Sequence, residues 1–265
     1  MMSDNDGFAV NVDLTNPGQF FAACGLLELA DRLWSGAEGW FEAGQLHVMP
    51  TGAHASSGAD LAALMDAVAK SPIQQLDPQD ETASPLQLGE PFDLRLDWWI
   101  ESGAGANPLK VWAGSMRGPR IAVAMQSALR DPTLWHERMF DHAAVVYDDQ
   151  QKKVEPFYFD ARRGANAQAL DIGFMPDALS MTTLAYPAVE FLCLVGLQRF
   201  QPAATSQRRV FEYFQWGTPL PPIVGAVAVQ GALKLRGQRR FRFASTFRTD
   251  QRKHKAFAPA TLMET

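Results

Sequence analysis

The sequence predicts an α+β fold, in which an antiparallel sheet is packed by two apolar helices. Three observations support it: short segments alternate apolar and polar residues, two longer segments repeat apolar residues at helical spacing, and turn residues separate them. The chain has 265 residues, of which 47% are hydrophobic and 20% are charged. Such a chain can bury one sizeable core. We therefore expect a single domain over residues 1–265, with a sub-boundary considered at 71–91.

The first predicted elements are a strand at residues 8–14, where apolar and polar residues alternate, and a helix at residues 17–34. Asn16 suits the N-cap of this helix, a proline follows it, and Gln19 completes a capping box. The Asn-Pro-Gly sequence at this point offers only Gly18 and no lysine. It therefore favours a helix start over a phosphate-binding loop.

The elements that follow are predicted from the same patterns. Strands are expected at residues 44–49, 92–98 and 154–160, and helices at residues 60–70, 119–129 and 187–200. Residues 71–91 contain four prolines and several acids, which predicts a surface loop or linker. The helices at 17–34 and 187–200 each contain a glycine near the middle, from which we expect close packing onto a sheet.

The composition indicates the cellular compartment and the class of binding partner. Cys24 and Cys193 both lie in apolar helical patterns, which predicts buried thiols in a reducing cytoplasm. No apolar run reaches the roughly 18 residues needed to cross a bilayer, and the first residues lack a hydrophobic signal region. Residues 1–109 contain three basic and sixteen acidic side chains, whereas residues 110–265 contain 21 basic and 13 acidic ones. This asymmetry points to a polyanion or to a charged partner subunit.

Two segments in the basic half could face an anion. Lys110, Arg117 and Arg120 lie in a loop with glycines just before the helix predicted at 119–129, where free backbone N–H groups suit an anion. A generic loop is the alternative. Arg162 and Arg163 follow the strand predicted at 154–160.

The most informative segment is residues 227–255, which predicts a basic β-hairpin. A three-residue turn at 237–239 would pair Leu235 with Phe241, leaving the apolar side chains on one face and the cations on the other. Opposed cations destabilise a ladder, and residues 227–249 contain no acid to offset them. A phosphate backbone would do so. The alternatives are a charged edge strand that resists aggregation and a docking surface for the acidic N-terminal half.

Catalytic motifs are hard to assemble from this sequence. His136 and His142 have no metal-ligand spacing, and none of the common nucleotide-binding or hydrolase motifs occurs. Asp141 and His142 form a sequence-adjacent pair that would serve a hydrolase, but an isolated pair more often makes a helix-end contact. We therefore expect a protein that is not an enzyme and needs no cofactor or metal.

Several stretches together carry a family resemblance: DLTNPGQFFAACGLLELADRLW near the start, then PFYFDARRGAN, DIGFMPDAL, YPAVEFLCLVGLQRFQP and YFQWGTPLP. They resemble a CRISPR-associated family of type I-U (also called I-G) loci, the small Csb family interpreted as a counterpart of the Cascade large subunit. The resemblance extends from residue 8 to about residue 257 and contains no catalytic signature.

The resemblance implies a non-catalytic subunit of a crRNA-guided surveillance complex in antiviral defence. Its partners would be the crRNA, the target DNA near its flanking motif, the other Cascade subunits, and the helicase–nuclease that it helps to recruit. In such complexes base pairing reads the target sequence, whereas protein reads a short motif and the backbone. By analogy with the RNA-binding subunits of these complexes, the N-terminal part is expected to be ferredoxin-like (RAMP-like).

Charge and context select the residues expected to contact nucleic acid. They are Lys110, Arg117, Arg120, Arg162, Arg163, Asn166, Lys234, Arg236, Arg240, Arg242, Arg248, Arg252, Lys253 and Lys255. The alternative function is a protein-interaction module whose basic face docks an acidic partner subunit.

Overall fold

The computed structural model describes residues 7–52, 58–100, 107–112, 116–163, 184–247 and 255–264. Within them the α+β class is confirmed, since α-helices occur together with antiparallel sheets. The helices are α1 (Pro17–Trp34), α2 (Leu61–Lys70), α3 (Gly118–Ala128), α4 (Pro187–Gly196) and α5 (Pro222–Val229). The strands are β1 (Phe8–Asn11), β2 (Ala37–Glu42), β3 (Gln45–Pro50), β4 (Ile73–Gln75), β5 (Leu86–Leu88), β6 (Leu94–Leu96), β7 (Ala203–Ala204), β8 (Val210–Gln215), β9 (Arg239–Phe247), β10 (Lys255–Phe257) and β11 (Thr261–Met263).

The strands form three sheets, and every pairing in them is antiparallel. The first sheet has the order β1-β3-β2, the second β4-β5-β6, and the third β10-β9-β8-β7, with β11 also pairing β9. The first sheet with α1 and α2 gives the element order β1-α1-β2-β3-α2. This order and strand arrangement are those of the first part of a split β-α-β unit. A fourth strand beside β1 is not found among the described residues, and the ferredoxin-like and RAMP-like details stay predictions.

The start of α1 follows the predicted cap. The Asn16 side-chain oxygen accepts hydrogen bonds from the backbone N–H groups of Gly18 (3.1 Å) and Gln19 (3.4 Å). Gln19 reaches back, but its side-chain oxygen accepts from the backbone N–H of Asp13 (2.8 Å) instead of from that of Asn16. The asparagine is therefore a helix cap, and no phosphate is needed to explain the Asn-Pro-Gly sequence.

Helices α1 and α4 pack directly against each other through their glycines. A Cβ on Gly25 would overlap the carbonyl oxygen of Leu192, and a Cβ on Gly196 would overlap that of Phe21. The expectation that these glycines pack onto a sheet is therefore wrong, because they admit a neighbouring helix. Both cysteines lie in these helices and are buried, as predicted, and burial raises the pKa of each thiol.

Residues 71–91 are not only a loop, because they contain β4 and β5. Each of these strands has three residues, which is too short to show a period in the sequence. The acidic residues between them shape the connection: the Asp80 carboxylate accepts hydrogen bonds from the backbone N–H groups of Thr82 (3.0 Å) and Ala83 (2.9 Å). These bonds hold the pKa of Asp80 below its usual range.

The strand predicted at residues 154–160 is absent from the sheets. Pro156 has no N–H to donate, and Tyr158 has a φ of +69°, which is outside the extended region. Phe157, Tyr158 and Phe159 are all buried. The prediction of a strand here is therefore wrong, although the apolar residues of this segment are buried.

The predicted pairing of the basic hairpin is also wrong. Leu233 and Leu235 lie outside any strand, and β9 pairs instead with β8, which the sequence pattern had not identified. In this register Tyr213 opposes Phe241, and their rings stack with centroids 5.4 Å apart. Aromatic cross-strand pairs of this kind stabilise a ladder, and β8 offers a longer run of them than residues 233–235 do.

The first and third sheets are joined at β2. Gly39 and Leu220 exchange backbone hydrogen bonds (2.9 and 3.1 Å), and the N–H of Phe41 donates to the carbonyl of Trp216 (2.9 Å). The Phe20 ring of α1 packs on both sides of this junction, with centroids 5.0 Å from Phe41 and 4.4 Å from Tyr213. A single hydrophobic core therefore joins the first and third sheets. No helix in the described ranges is long and apolar enough to cross a membrane.

Candidate nucleic-acid interface

Arg240 and Arg242 lie on one face of β9, as predicted, but they share an acid. Both guanidinium groups donate to the Glu212 carboxylate, Arg240 from Nη2 at 2.6 Å and Arg242 from Nη2 at 2.6 Å. Glu212 lies opposite Arg242 in the ladder with β8. The hydrogen bond from Arg240, followed by that from Arg242, lowers the pKa of Glu212. The premise that no internal acid offsets these arginines is therefore wrong, because the acid comes from β8.

Arg117 and Arg120 flank the N-terminus of α3, and each forms an ion pair. Arg117 contacts Glu81 (2.8 Å), and Arg120 contacts Asp148 (2.6 Å). The first backbone N–H of the helix, from Gly118, donates to the carbonyl of Thr82 (2.9 Å). Both arginines line an open groove of about 940 Å³. An anion entering here would compete with carboxylates for both arginines.

Arg162 is held on several sides. Its Nη2 donates to the buried Asp160 carboxylate (2.7 Å) and to the Phe140 carbonyl (2.6 Å), while its Nη1 contacts Asp141 (3.2 Å). Its guanidinium also lies 3.6 Å from the centroid of the Tyr186 ring. These contacts within the protein explain the position of Arg162 without a bound nucleic acid. Asp141, which the sequence offered as one half of a pair with His142, instead forms ion pairs with Arg162 and with Arg138 (3.6 Å).

Five of the predicted residues cannot be placed. The side chain of Arg163, and all of Asn166, Arg248, Arg252 and Lys253, lie outside the described residues.

Lys255 lies at the centre of a cluster that the hairpin hypothesis did not foresee. Directly across the ladder from it is Phe247, and the Arg209 guanidinium lies over the Phe247 ring at 4.3 Å. Directly opposed residues project to the same face. The backbone N–H of Lys255 donates to the carbonyl of Val111 (3.1 Å), next to Lys110. Three separate chain segments therefore bring cations together here.

Electrostatics supports this grouping. Burial, and then repulsion by Arg209, Lys110 and Arg208, lowers the pKa of Lys255 to about 8. Charge repulsion falls with distance, so these cations share one neighbourhood. We name Lys110, Arg208, Arg209 and Lys255 the Lys255 cluster. None of the four forms an ion pair with a carboxylate among the described residues, although Asp80 attracts Lys110 at longer range.

The members of the Lys255 cluster differ in accessibility. Arg208 is exposed, Arg209 and Lys255 are half-buried, and Lys110 is buried beside the Trp112 ring, whose centroid is 4.8 Å from its ammonium. The Lys255 ammonium donates to the carbonyls of Asn107 (3.2 Å) and Pro108 (3.4 Å). Arg208, Arg209 and Lys255 could therefore touch a ligand, whereas Lys110 adds positive potential beneath them.

Sequence reasoning selected Lys110 and Lys255 but missed Arg208 and Arg209. The signal was present, since two adjacent arginines stand in a short turn between β7 and β8. The sequence pattern did not predict β8. Without that strand, nothing in the sequence indicated that the turn with Arg208 and Arg209 lies beside the end of β9.

Lys234 and Arg236 are exposed and form no ion pair with a described carboxylate. They lie in the turn before β9, whereas Lys255 pairs with its last residue, Phe247. A strand of nine residues is about 27 Å long at roughly 3.4 Å per residue. Lys234 and Arg236 therefore lie at the opposite end of β9 from Lys255, with the paired Arg240 and Arg242 between them.

Within the described residues, no group of three or more His, Cys, Asp or Glu side chains is arranged to hold a metal ion. No protein-family model matches the chain, and no curated protein or solved structure matches it either.

Proposed function

We propose that this chain is a non-catalytic, nucleic-acid-binding subunit of a type I CRISPR surveillance complex in the cytoplasm. It would contact crRNA and target DNA through their sugar–phosphate backbone at the Lys255 cluster. It would also bind the other subunits and help to recruit the helicase–nuclease. The CRISPR assignment rests on the sequence resemblance, and the contact surface rests on the geometry.

The observation that carries the binding proposal is the grouping of Arg209 and Lys255 around Phe247, beside Arg208, without an ion pair to a described carboxylate. A Lys255 ammonium that is half-buried, repelled by Arg208 and Arg209 and without a carboxylate contact among the described residues is unfavourable in the free protein. A bound phosphate would remove this repulsion and add charge-assisted hydrogen bonds. Because backbone phosphates are the same in every sequence, the contact would be independent of base identity.

The position of the Lys255 cluster also suits a long polyanion. Residues 248–254 lie between Phe247 and Lys255 in the sequence, outside the described residues, and they include Arg248, Arg252 and Lys253. The seven residues contain a single acid, Asp250. These three predicted contact residues therefore adjoin Lys255 and Phe247 in the sequence.

The test is salt-dependent binding of a labelled single-stranded RNA and of the matching DNA, followed by fluorescence anisotropy. The combined substitutions Arg208→Ala and Arg209→Ala should weaken binding and lower the slope of log affinity against log salt by about 0.7 for each lost phosphate contact. Lys70→Ala, which removes an exposed cation on α2, should leave the slope unchanged. Absence of binding by the full chain, or an equal slope in the double variant, would refute the proposal.

The CRISPR assignment is tested separately. RNA that copurifies with the tagged chain from its native cell should be enriched in repeat–spacer sequences. Enrichment in ribosomal or transfer RNA would refute the surveillance-complex role while leaving backbone binding in place.

A further inference from the structure

Helix α5 has a composition that does not match its position. Its eight residues, PIVGAVAV, include no polar side chain. A helix that is apolar on all sides is normally buried on all sides. Here Ile223 and Val227, one turn apart, have 67% and 42% of their surface exposed. These two residues, which we name the α5 face, project from the same side of the helix.

Three exposed cations follow the α5 face along the chain. The segment after the helix folds back on its C-terminal end: the N–H of Ala232 donates to the Val227 carbonyl (3.3 Å), and the Gln238 amide donates to the Ala228 carbonyl (3.1 Å). Lys234 and Arg236 lie in this returning segment, Arg239 is the first residue of β9, and all three are exposed. We name these three residues the basic turn.

The basic turn lacks acidic neighbours in sequence and contacts. Residues 213–249 contain six Lys and Arg residues and no Asp or Glu. Glu212 engages only Arg240 and Arg242 among the described cations, and none of the three basic-turn residues forms an ion pair with a described carboxylate. Lys234, Arg236 and Arg239 are therefore accessible cations without an ion pair to a described carboxylate, although Glu264 follows Met263, the ladder partner of Arg240.

From the α5 face and the basic turn together we infer a docking site for an acidic, amphipathic protein segment. Apolar side chains of the partner would cover Ile223 and Val227, and its carboxylates would meet Lys234, Arg236 and Arg239. Nucleic acid would use the cations but would leave the two aliphatic side chains uncovered, so the combination favours a protein partner. This inference goes beyond the nucleic-acid contact at the other end of β9 and does not depend on it.

The test uses two synthetic helical peptides that share a leucine stripe, one with glutamates and one with lysines on the remaining positions. Each is titrated against the full chain by fluorescence anisotropy. The acidic peptide should bind at least about tenfold more tightly than the basic one. Ile223→Ser should weaken binding of the acidic peptide, Arg236→Glu should remove its advantage over the basic peptide, and the contribution of Arg236 should shrink as salt rises.

Two matched variants control for general loss of apolar surface or charge. Val123→Ser removes a valine with 44% exposure from α3, and Arg130→Glu reverses an exposed arginine that has no ion pair with a described carboxylate. Neither should change acidic-peptide binding. Circular dichroism should show that all four variants remain folded.

Three results would overturn the inference. One is equal binding of the two peptides, and another is equal loss in the control variants. The third is a loss of RNA affinity in Arg236→Glu without any effect of Ile223→Ser on the acidic peptide, which would make the basic turn a nucleic-acid contact. The Arg208→Ala, Arg209→Ala variant should keep full affinity for the acidic peptide, which separates this site from the proposed function.

Discussion

Gly25 of α1 and Gly196 of α4 meet where the two helices cross. A Cβ on Gly196 would lie 2.8 Å from the backbone nitrogen of Gly25 and would overlap the carbonyl of Phe21. Backbone rather than a flexible side chain lies in the way, so the helices would have to separate to admit a methyl group. Small residues at both positions are what allow this close crossing.

Substitution of either glycine by alanine should therefore destabilise the fold. Alanine is the better helix former by about 1 kcal/mol, but overpacking a core typically costs about 1–3 kcal/mol or more. We expect Gly25→Ala and Gly196→Ala to lower the free energy of unfolding in urea. Gly217→Ala, whose added Cβ would meet its nearest neighbour at an ordinary 3.6 Å, should stay close to wild type. A gain of stability in either helix variant would contradict the packing described.

Glu212 should matter more for stability than an ordinary surface acid. Glu212→Gln would leave Arg240 and Arg242 as neighbouring cations with no counter-charge. Because both arginines are more than a third exposed, solvent screening limits the expected loss to about 1–2 kcal/mol. Glu81→Gln, which breaks the more exposed pair with Arg117, should cost less than about 0.5 kcal/mol. Equal losses in urea unfolding would show that the shared acid has no special role.

The pKa of Lys255 makes nucleic-acid binding depend on pH. Its value of about 8 in the free protein means that the ammonium is partly neutral at about pH 9. Because phosphate favours the charged form, RNA binding should take up protons and weaken between about pH 7 and about pH 9. Lys255→Arg stays charged over this range and should show a flatter dependence. An identical pH profile for both proteins would remove Lys255 from the interface.

The same shift affects stability with a defined sign. The folded pKa lies below the usual 10.5, so the unfolded chain binds more protons between about pH 8 and about pH 10.5. The contribution of this group to the free energy of unfolding should therefore rise with pH across that window. Lys255→Arg should lack the rise, which urea unfolding at several pH values would measure.

The elements that the sequence predicted best are those with local signals. Asn16 caps α1, as predicted from a few adjacent residues, and α2 and α4 lie within the ranges predicted from apolar spacing. The short strands β4, β5, β7, β10 and β11 have two or three residues each. Strands of that length are defined by the partner they meet, and a pattern within one segment does not contain this information.

The candidate site could not be located from the sequence for the same reason, because it depends on contacts between distant segments. Arg240 and Arg242 were correctly placed on one face, but their acid, Glu212, belongs to a strand that only tertiary pairing reveals. Arg209 reaches the neighbourhood of Lys255 through Phe247, a contact between segments almost forty positions apart. Strand partners decide which charges remain without a counter-charge. Charge counts along the chain could therefore indicate a basic half but not locate its interface.

The beginning of α1 is fastened by residues from near the other end of the chain. The Tyr213 hydroxyl donates to the carbonyl of Leu14 (2.6 Å), and the N–H of Ala260 donates to that of Thr15 (2.7 Å). During synthesis, these two contacts cannot form until Tyr213 and Ala260 have left the ribosome. Such delayed closure slows folding and favours aggregation of incomplete chains. Chains that end before Tyr213 should therefore lack both contacts and depend more on chaperones.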